Sequence, residues 1–520
     1  MRFVTRTGAF ALALLLAPGS PASAAGEHDL TLNDAIRMAL QRNEGLVIER
    51  ESMAAARAAV TGAKGAYDPI LGLDGAWAKT SEPANSSLSG TSPSQLGPES
   101  KSAEAGVELQ QLLPTGGALS LRARGSRETT EDPFALLSPS YQTRVGAELR
   151  QPLLRNRATD AARLSVRVAQ AGRDGATASL RRVLTETIAA VEQAYWTLVA
   201  ASLEVDVRDQ AVRLAQEQLQ ETESRVETGA APRTEPAQPR AELERRRGEL
   251  FASNEALSRA ENSLKLLILD GADDALWSDH LTPAEDASVE VVPVNLSASL
   301  ERALAGRPEL QIADAVVKRR RAESAFARDG ALPSLDAVVS YDRFGLAGSL
   351  NPGAPAAGPL PSDLDGTLGK SFESLGRGDF DAARVALVLG LPIGNRAARG
   401  NAAVARHLER EAEVDVARVR KTIRAEVLDA AAALETTGQR IEAARAGREA
   451  AEIQLSAERD RYDAGRSTNF LVLTRQNDLS RARLDEISAL TLYRNARTEM
   501  ARATGSLLEE RGIDTGEKVH

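Results

Sequence analysis

RAARGNAAVARHLEREAEVDVARVRKTIRAEVLDAAAALETTGQRIEAARAGREAAEIQLSAERDRYDA, residues 396–464, follows Leu391-Pro392-Ile393-Gly394 and reads as one uninterrupted helix. No proline comes after Pro392, interior glycines are few (Gly400, Gly438, Gly447), and the strong helix formers Ala, Glu, Arg and Leu dominate. At ~1.5 Å rise per residue this is a rod of about 100 Å, longer than the core of an ordinary globular domain. Its apolar positions are Ala412, Val416, Val419, Ile423, Val427, Ala430, Leu434, Gly438 and Ile441. Ala412, Ile423 and Leu434 repeat at eleven-residue spacing, as do Val416, Val427 and Gly438, and Val419, Ala430 and Ile441. That period, ~3.67 residues per turn, keeps the stripe on one side of a nearly straight helix. The stripe is narrow and built of small residues, so neighbouring helices can approach closely. Taken alone, the stretch reads equally as a long structural coiled coil.

Working outward, composition narrows the class. Residues 1–24 have the form of an export signal: Arg2 and Arg6, apolar Phe10 to Leu16, then Ala22-Ser23-Ala24 as a small-residue cleavage site. No later run offers about 18 consecutive apolar residues, so any membrane crossing must use β-strands. The chain has no cysteine, which excludes disulfides, thiolate metal sites and a lipid anchor on Cys. Without Arg2 and Arg6 the 64 basic residues become 62 against 73 acidic ones, a net charge of −11 that argues against nucleic acid as a partner. Aromatics are only 3%, as expected of helices that bury alanine and valine. The four histidines, His28, His280, His407 and His520, lack ligand spacing, and neither metal nor cofactor is expected.

The chain reads as two copies of one unit. Leu32, Ile36, Ala39, Leu40, Leu46 and Ile48 recur 264 residues on as Leu296, Leu300, Ala303, Leu304, Leu310 and Ile312, and Pro69, Leu71 and Trp77 as Pro333, Leu335 and Tyr341. A second registration, at offset 240, sets Gln151-Pro152-Leu153 on Leu391-Pro392-Ile393. A third, at offset 236, sets Arg225 on Arg461, Gly229 on Gly465 and Leu243 on Leu479. Duplication with insertions accounts for the shrinking offset.

Copy one, 25–293, divides into a helix at 30–64 with Asn33 as its cap, strands and loops at 69–151, a long helix at 156–228, a helix at 240–269 delayed by Pro232, Pro236 and Pro239, and an acidic link at 271–293. Copy two, 294–505, has a helix at 296–329, strands and loops at 333–392, the long helix at 396–464 and a helix at 467–504; residues 506–520 form a tail.

The strands alternate as transmembrane β-strands do. Leu335, Ala337, Val339 and Tyr341 stand opposite Asp336, Ser340 and Asp342, and Val145, Ala147 and Leu149 opposite Arg144, Glu148 and Arg150. Copy one carries an additional hairpin, 104–113 and 118–127, which either joins the others or caps them. Strands of a soluble sandwich would alternate in the same way. The Gly/Pro/Ser-rich runs Ser81–Ser100, Glu128–Ser140 and Gly345–Asp379 read as water-facing loops. The turns after the long helices, Arg225 to Pro236 and Arg461 to Leu471, read as helix stops at Gly229 and Gly465, with Ser467 or Thr468 capping the next helix.

Leu32-Asn33-Asp34-Ala35, Gln151-Pro152-Leu153-Leu154, Leu391-Pro392-Ile393 and Arg461-Tyr462-Asp463-Ala464-Gly465, in this order and duplication, resemble the TolC family of outer membrane efflux channels over Leu30 to about Gly505. The resemblance implies a mainly α fold with β: a homotrimer with a long helical-hairpin α-barrel in the periplasm and transmembrane β-barrel strands in outer membrane lipid. It implies a non-enzymatic duct in a tripartite system, with a periplasmic adaptor and an inner-membrane pump of the RND, ABC or MFS type. It places the turns at Arg225, Gly229, Arg461, Gly465, Ser467 and Thr468 at the periplasmic tip, in contact with the adaptor. Better-known members carry aspartates six and nine residues past the tip glycine; here those positions are Leu471 and Thr474, and Glu235 and Gln238, so an acidic constriction would rest on Glu235. Export of small molecules is the leading expectation. The outlet of a type I protein secretion system is the alternative within this architecture, and a soluble coiled-coil scaffold the alternative outside it.

Overall fold

The computed structural model describes residues 26–81, 83, 97–285, 289–354 and 359–513. The expected signal segment 1–24, most of the Ser81–Ser100 run, Asp286 of the acidic link and residues 514–520 of the tail lie outside the described residues. In chain order the elements are β1 (Glu27–Leu30), α1 (Leu32–Arg42), α2 (Glu44–Lys64), β2 (Ile70–Ser81), β3 (Glu99–Leu112), β4 (Ala118–Thr130), β5 (Leu137–Pro152), α3 (Ala161–Glu227), α4 (Ala237–Ile268), β6 (His280–Pro283), α5 (Leu296–Gly306), α6 (Pro308–Gly330), β7 (Ser334–Leu350), α7 (Leu368–Arg377), β8 (Phe380–Gly390), α8 (Arg396–Asp463), α9 (Asn469–Thr504) and α10 (Leu507–Glu510).

The 68 residues of α8 run without a break. Its apolar stripe is the face that packs: Ala412, Ile423, Val427, Ala430, Leu434, Gly438 and Ile441 are buried and Val416 and Val419 half-buried. The chain divides into two compact units, each drawing on both long helices.

One unit contains residues up to Leu46, Leu184–Ser299 and Leu428–Asp514. Here β1 pairs in parallel with β6, Leu30 opposite Pro283, and Leu30 and Leu281 are buried. The Tyr195 hydroxyl, fully buried, donates to the Leu30 carbonyl at 3.0 Å. The link between the copies crosses α8 at Gly438, where a Cβ would meet Val291 at 3.0 Å, and the Val292 amide donates to the Tyr493 hydroxyl at 3.0 Å. A glycine interrupts the stripe there because another chain segment occupies the space.

The other unit contains Val47–Val183 and Leu300–Val427. It holds one six-stranded antiparallel sheet in the order β2-β3-β4-β5-β7-β8. The additional hairpin, β3 and β4, lies within this sheet between β2 and β5. Its tight turn is closed by the Leu113 amide on the Gly117 carbonyl at 2.7 Å, with Gly116 at φ +83°.

Several expected boundaries shift for local reasons. The helix expected over 30–64 is two, parted at Asn43, whose ψ of 120° is extended. Its cap is Thr31, not Asn33: the Thr31 hydroxyl accepts from the Asp34 amide at 3.1 Å. The helix expected over 296–329 breaks before Pro308, which starts α6 in the position where a missing amide costs nothing. α4 begins at Ala237 rather than Arg240, because Pro239 sits in the first turn, where proline is tolerated. The acidic link contains β6, the run 345–379 contains the end of β7 and all of α7, and the tail contains α10.

Candidate functional site

Two places carry functional geometry, one in each unit. In the sheet, cross-strand register assigns each side chain to one of two faces. Leu71 stands opposite Leu109, Leu109 opposite Leu121, Leu121 opposite Ala147, Ala147 opposite Tyr341 and Tyr341 opposite Ala383. The same face carries Leu73, Trp77, Val107, Val145, Leu149, Val339, Val385, Leu387 and Leu389. These side chains are exposed, Val385 at 81%, Leu73 at 75% and Trp77 at 66%. Water would penalise such a continuous band at about 25 cal/mol per Å².

The opposite face is charged and internally neutralised. Arg122 pairs with Glu108 at 3.0 Å, Arg124 with Asp74 at 3.3 Å, Arg144 with Asp342 at 3.0 Å and Arg150 with Asp336 at 2.6 Å. Every one of these pairs bridges strands. Both outer strands, β2 and β8, have one edge with no partner among the described residues.

A short helix covers part of the apolar face near its charged rim. α7 buries Ser371 and Ser374, and the Thr143 hydroxyl donates to the Ser371 carbonyl at 3.1 Å. Only glycine fits at 345, because a Cβ would collide with that carbonyl. Phe372 remains 52% exposed on the helix.

The second place is the pair of helix ends. α3 and α8 terminate in the same hydrogen-bond pattern at offset 236. Ala230 donates to the Arg225 carbonyl at 2.7 Å and Gly229 to Val226 at 3.1 Å; Arg466 donates to Arg461 at 2.8 Å and Gly465 to Tyr462 at 2.9 Å. Gly229 at φ +76° and Gly465 at φ +72° supply the left-handed residue this ending requires. Both ends are exposed, and nothing lies within 4 Å of where a Cβ would stand on either glycine.

The two ends touch. Arg225 donates to the Tyr462 hydroxyl at 2.8 Å, with its guanidinium 5.5 Å from the ring centroid. Tyr462 lies outside the expected site residues, and copy one has Val226 at the equivalent position. Arg461 pairs with Glu458 at 3.3 Å. Ser467 does not cap: its hydroxyl binds the buried Glu458 carboxylate, and Thr468, at the cap position, makes no side-chain cap bond. Glu235 and Gln238 are exposed just before and inside the first turn of α4. Leu471 is exposed and the Thr474 hydroxyl is turned back onto the Phe470 carbonyl at 2.8 Å.

Behind these ends the helices are locked by polar side chains. Arg246, 5% exposed, binds Glu242 at 2.8 Å and the Asn477 side chain, joining α4 to α9, while Arg208 on α3 reaches Glu249 at 2.7 Å. Burial pushes the Glu242 carboxyl up, but the hydrogen bond from Arg245 and the charges of Arg246 and Arg245 outweigh it and hold the group below its ordinary 4.5. Sequence reasoning passes over this cluster because arginines on helices read as solvent-facing.

Among the described residues no helix is long and apolar enough to cross a membrane, and no group of three His, Asp or Glu could hold a metal ion. Residues 299–506 match the family model of outer membrane efflux proteins. No curated protein matches the chain. Among solved structures it is similar to the CmeC outer membrane channel of Campylobacter jejuni, at 17% identity over 94% of this chain and 88% of that one, with a TM-score of 0.62. It is similar to the open state of the Neisseria gonorrhoeae MtrE outer membrane channel at 19% identity, 93% and 90% coverage and a TM-score of 0.62. The outer membrane protein VceC of Vibrio cholerae gives 15% identity, 91% and 96% coverage and a TM-score of 0.60. Residues 299–506 are thus similar to the outer membrane efflux proteins, and the chain carries the fold of the TolC-like outer membrane channels.

Proposed function

We propose that this protein is the outer membrane channel of a tripartite efflux system, a passive duct through which small molecules leave the cell. One observation carries the reading: a sheet apolar and exposed on one face, ion-paired on the other and, among the described residues, without a partner at either outer edge. Lipid suits the first face and a water-filled lumen the second. The open edges suit closure with two further copies, since a sheet edge in lipid leaves backbone groups unsatisfied.

The paired helix ends are then the docking points for a periplasmic adaptor, with Arg225, Gly229, Arg461, Gly465, Ser467 and Thr468 at the contact. Glu235, Gln238, Leu471 and Thr474 line the aperture that the adaptor opens, a switch between two packings of the ends. Transport energy comes from an inner-membrane pump. Membrane fractionation combined with amine crosslinking tests the reading: the protein should sediment with the outer membrane and give a three-chain band. A monomer recovered without detergent would overturn it.

A further inference from the structure

The sequence registration pairs β7 with β2 and β8 with β5, through Pro333 and Pro69 and through Pro392 and Pro152. Copy two therefore contributes two strands, while copy one contributes those two equivalents and the hairpin β3–β4 between them. The hairpin is no appendage: β3 runs in register with β2 from Glu99 to Gln110, and β4 with β5 from Ala118 to Glu128. Its apolar residues Val107, Leu109 and Leu121 continue the exposed band, and its Glu104, Glu108, Arg122 and Arg124 continue the charged face.

We infer that the hairpin is part of the barrel wall, so that three copies, each giving six strands, close an eighteen-stranded barrel. This rests on the trimeric channel reading above and extends it to the width of the pore. Six is even, so β8 of one copy runs antiparallel to β2 of the next and the closure is antiparallel throughout.

The sheet already has the slant of a closed barrel. The first charged residue beyond the apolar band is Lys79 on β2, Lys101 on β3, Arg127 on β4, Arg343 on β7 and Asp381 on β8. Followed through the register, this rim moves about six residues over the five steps from β2 to β8, which at ~3.3 Å per residue and ~4.8 Å per step is a tilt of about 40°. Closed barrels have tilts of 35–45°. At that tilt eighteen strands enclose a barrel about 36 Å across between backbones, against about 24 Å had the hairpin been left out. A barrel of that size leaves an open aqueous channel, which here would be lined by the ion-paired face.

The within-chain pairing of β5 with β7 is the template for the missing contact. Pro152 stands opposite Asp336; carried across by the two offsets, Pro392 faces Gly72 of the neighbour, and Ala386 faces Ala78.

Because the chain has no cysteine, cysteine pairs in the full-length protein in outer membranes test the inference. Ala78→Cys with Ala386→Cys, oxidised with copper-phenanthroline, should give two- and three-chain bands that disappear on reduction. Ala386→Cys paired with Asp74→Cys or Ala76→Cys samples neighbouring registers, and a ladder from any of the three pairs supports the β8–β2 contact. If the hairpin lay off the wall, β2 would pair with β5 as β8 does with β7, bringing Ala76 opposite Arg144. A disulfide within one chain from Ala76→Cys with Arg144→Cys, read as free-thiol loss without a new band, would overturn the eighteen-stranded wall and leave the trimeric channel standing. Absence of every β8–β2 band in a protein that still gives the three-chain amine crosslink would overturn it as well. Absence of both kinds of crosslink would instead bring down the channel reading.

Discussion

Leu73→Arg tests whether the apolar face of the sheet meets lipid and the charged face water. Leu73 lies in the middle of the apolar run of β2, 75% exposed, opposite Val107. If that face meets lipid, an arginine near the bilayer midplane costs about 2–4 kcal/mol per chain. Three copies in one barrel stand far enough apart for the costs to add, giving about 6–12 kcal/mol per trimer. Even 2 kcal/mol shifts an assembly equilibrium by about 30-fold. The matched control is Ala76→Arg on the same strand, which projects from the opposite face beside Glu104 and meets acidic partners in water. Outer membrane fractions separated on unheated gels measure the folded oligomer against the unfolded chain. Leu73→Arg should lose most of its oligomer and Ala76→Arg almost none. Equal yields from the two variants would refute the assignment of faces, since a soluble sheet distinguishes them only weakly.

Other perturbations reach the helical unit. Arg246→Met strips Glu242 of one of its partners in a buried setting and should lower stability by about 2 kcal/mol, seen as a reduced thermal midpoint in detergent. The Glu242 contribution depends on pH in a defined sense: its folded value is depressed below 4.5, so the stabilisation is present above 4.5 and is lost as pH falls through the folded value. Glu242→Gln should therefore narrow its deficit against the parent protein as thermal melts are taken from pH 7 into that acid range. Gly465→Val forces a β-branched residue to φ +72°, costing about 1–2 kcal/mol locally; trimers should survive while export in a sensitised strain falls, and unchanged export would count against the turn as a docking point. Glu235→Gln should alter cation passage in planar bilayers most at low ionic strength.

What the sequence discloses here follows from how strongly each element is written. The eleven-residue spacing of Ala412, Ile423 and Leu434 marks the buried face of α8 because a long helix repeats its signal many times. Alternation in Val145, Ala147 and Leu149 marks the apolar face of β5 for the same reason. Short elements repeat nothing. β1 has only Leu30 buried, and its partner β6 lies some 250 residues away, so no local pattern announces the pair. α7 hides in a run of Gly, Pro and Ser because it packs through Ser371 and Ser374, residues that read as loop. In the helix ends, the glycines are plain from their stop signals, whereas the Arg225–Tyr462 clasp and the Arg246–Asn477 bond join residues distant in sequence and of ordinary surface type. Ser467 reads as a cap by residue type, yet its hydroxyl is taken by Glu458, a competition visible only in three dimensions.

The matching ends of α3 and α8 have a numerical consequence for whatever binds them. Their main chains are alike, but one presents Val226 and Pro232 where the other presents Tyr462 and Thr468. A ligand that reads only backbone would find six interchangeable posts around the proposed trimer, whereas one that reads side chains would find two alternating kinds, three of each. The binding ratio of a docking protein, six or three per trimer, would therefore report which language it reads.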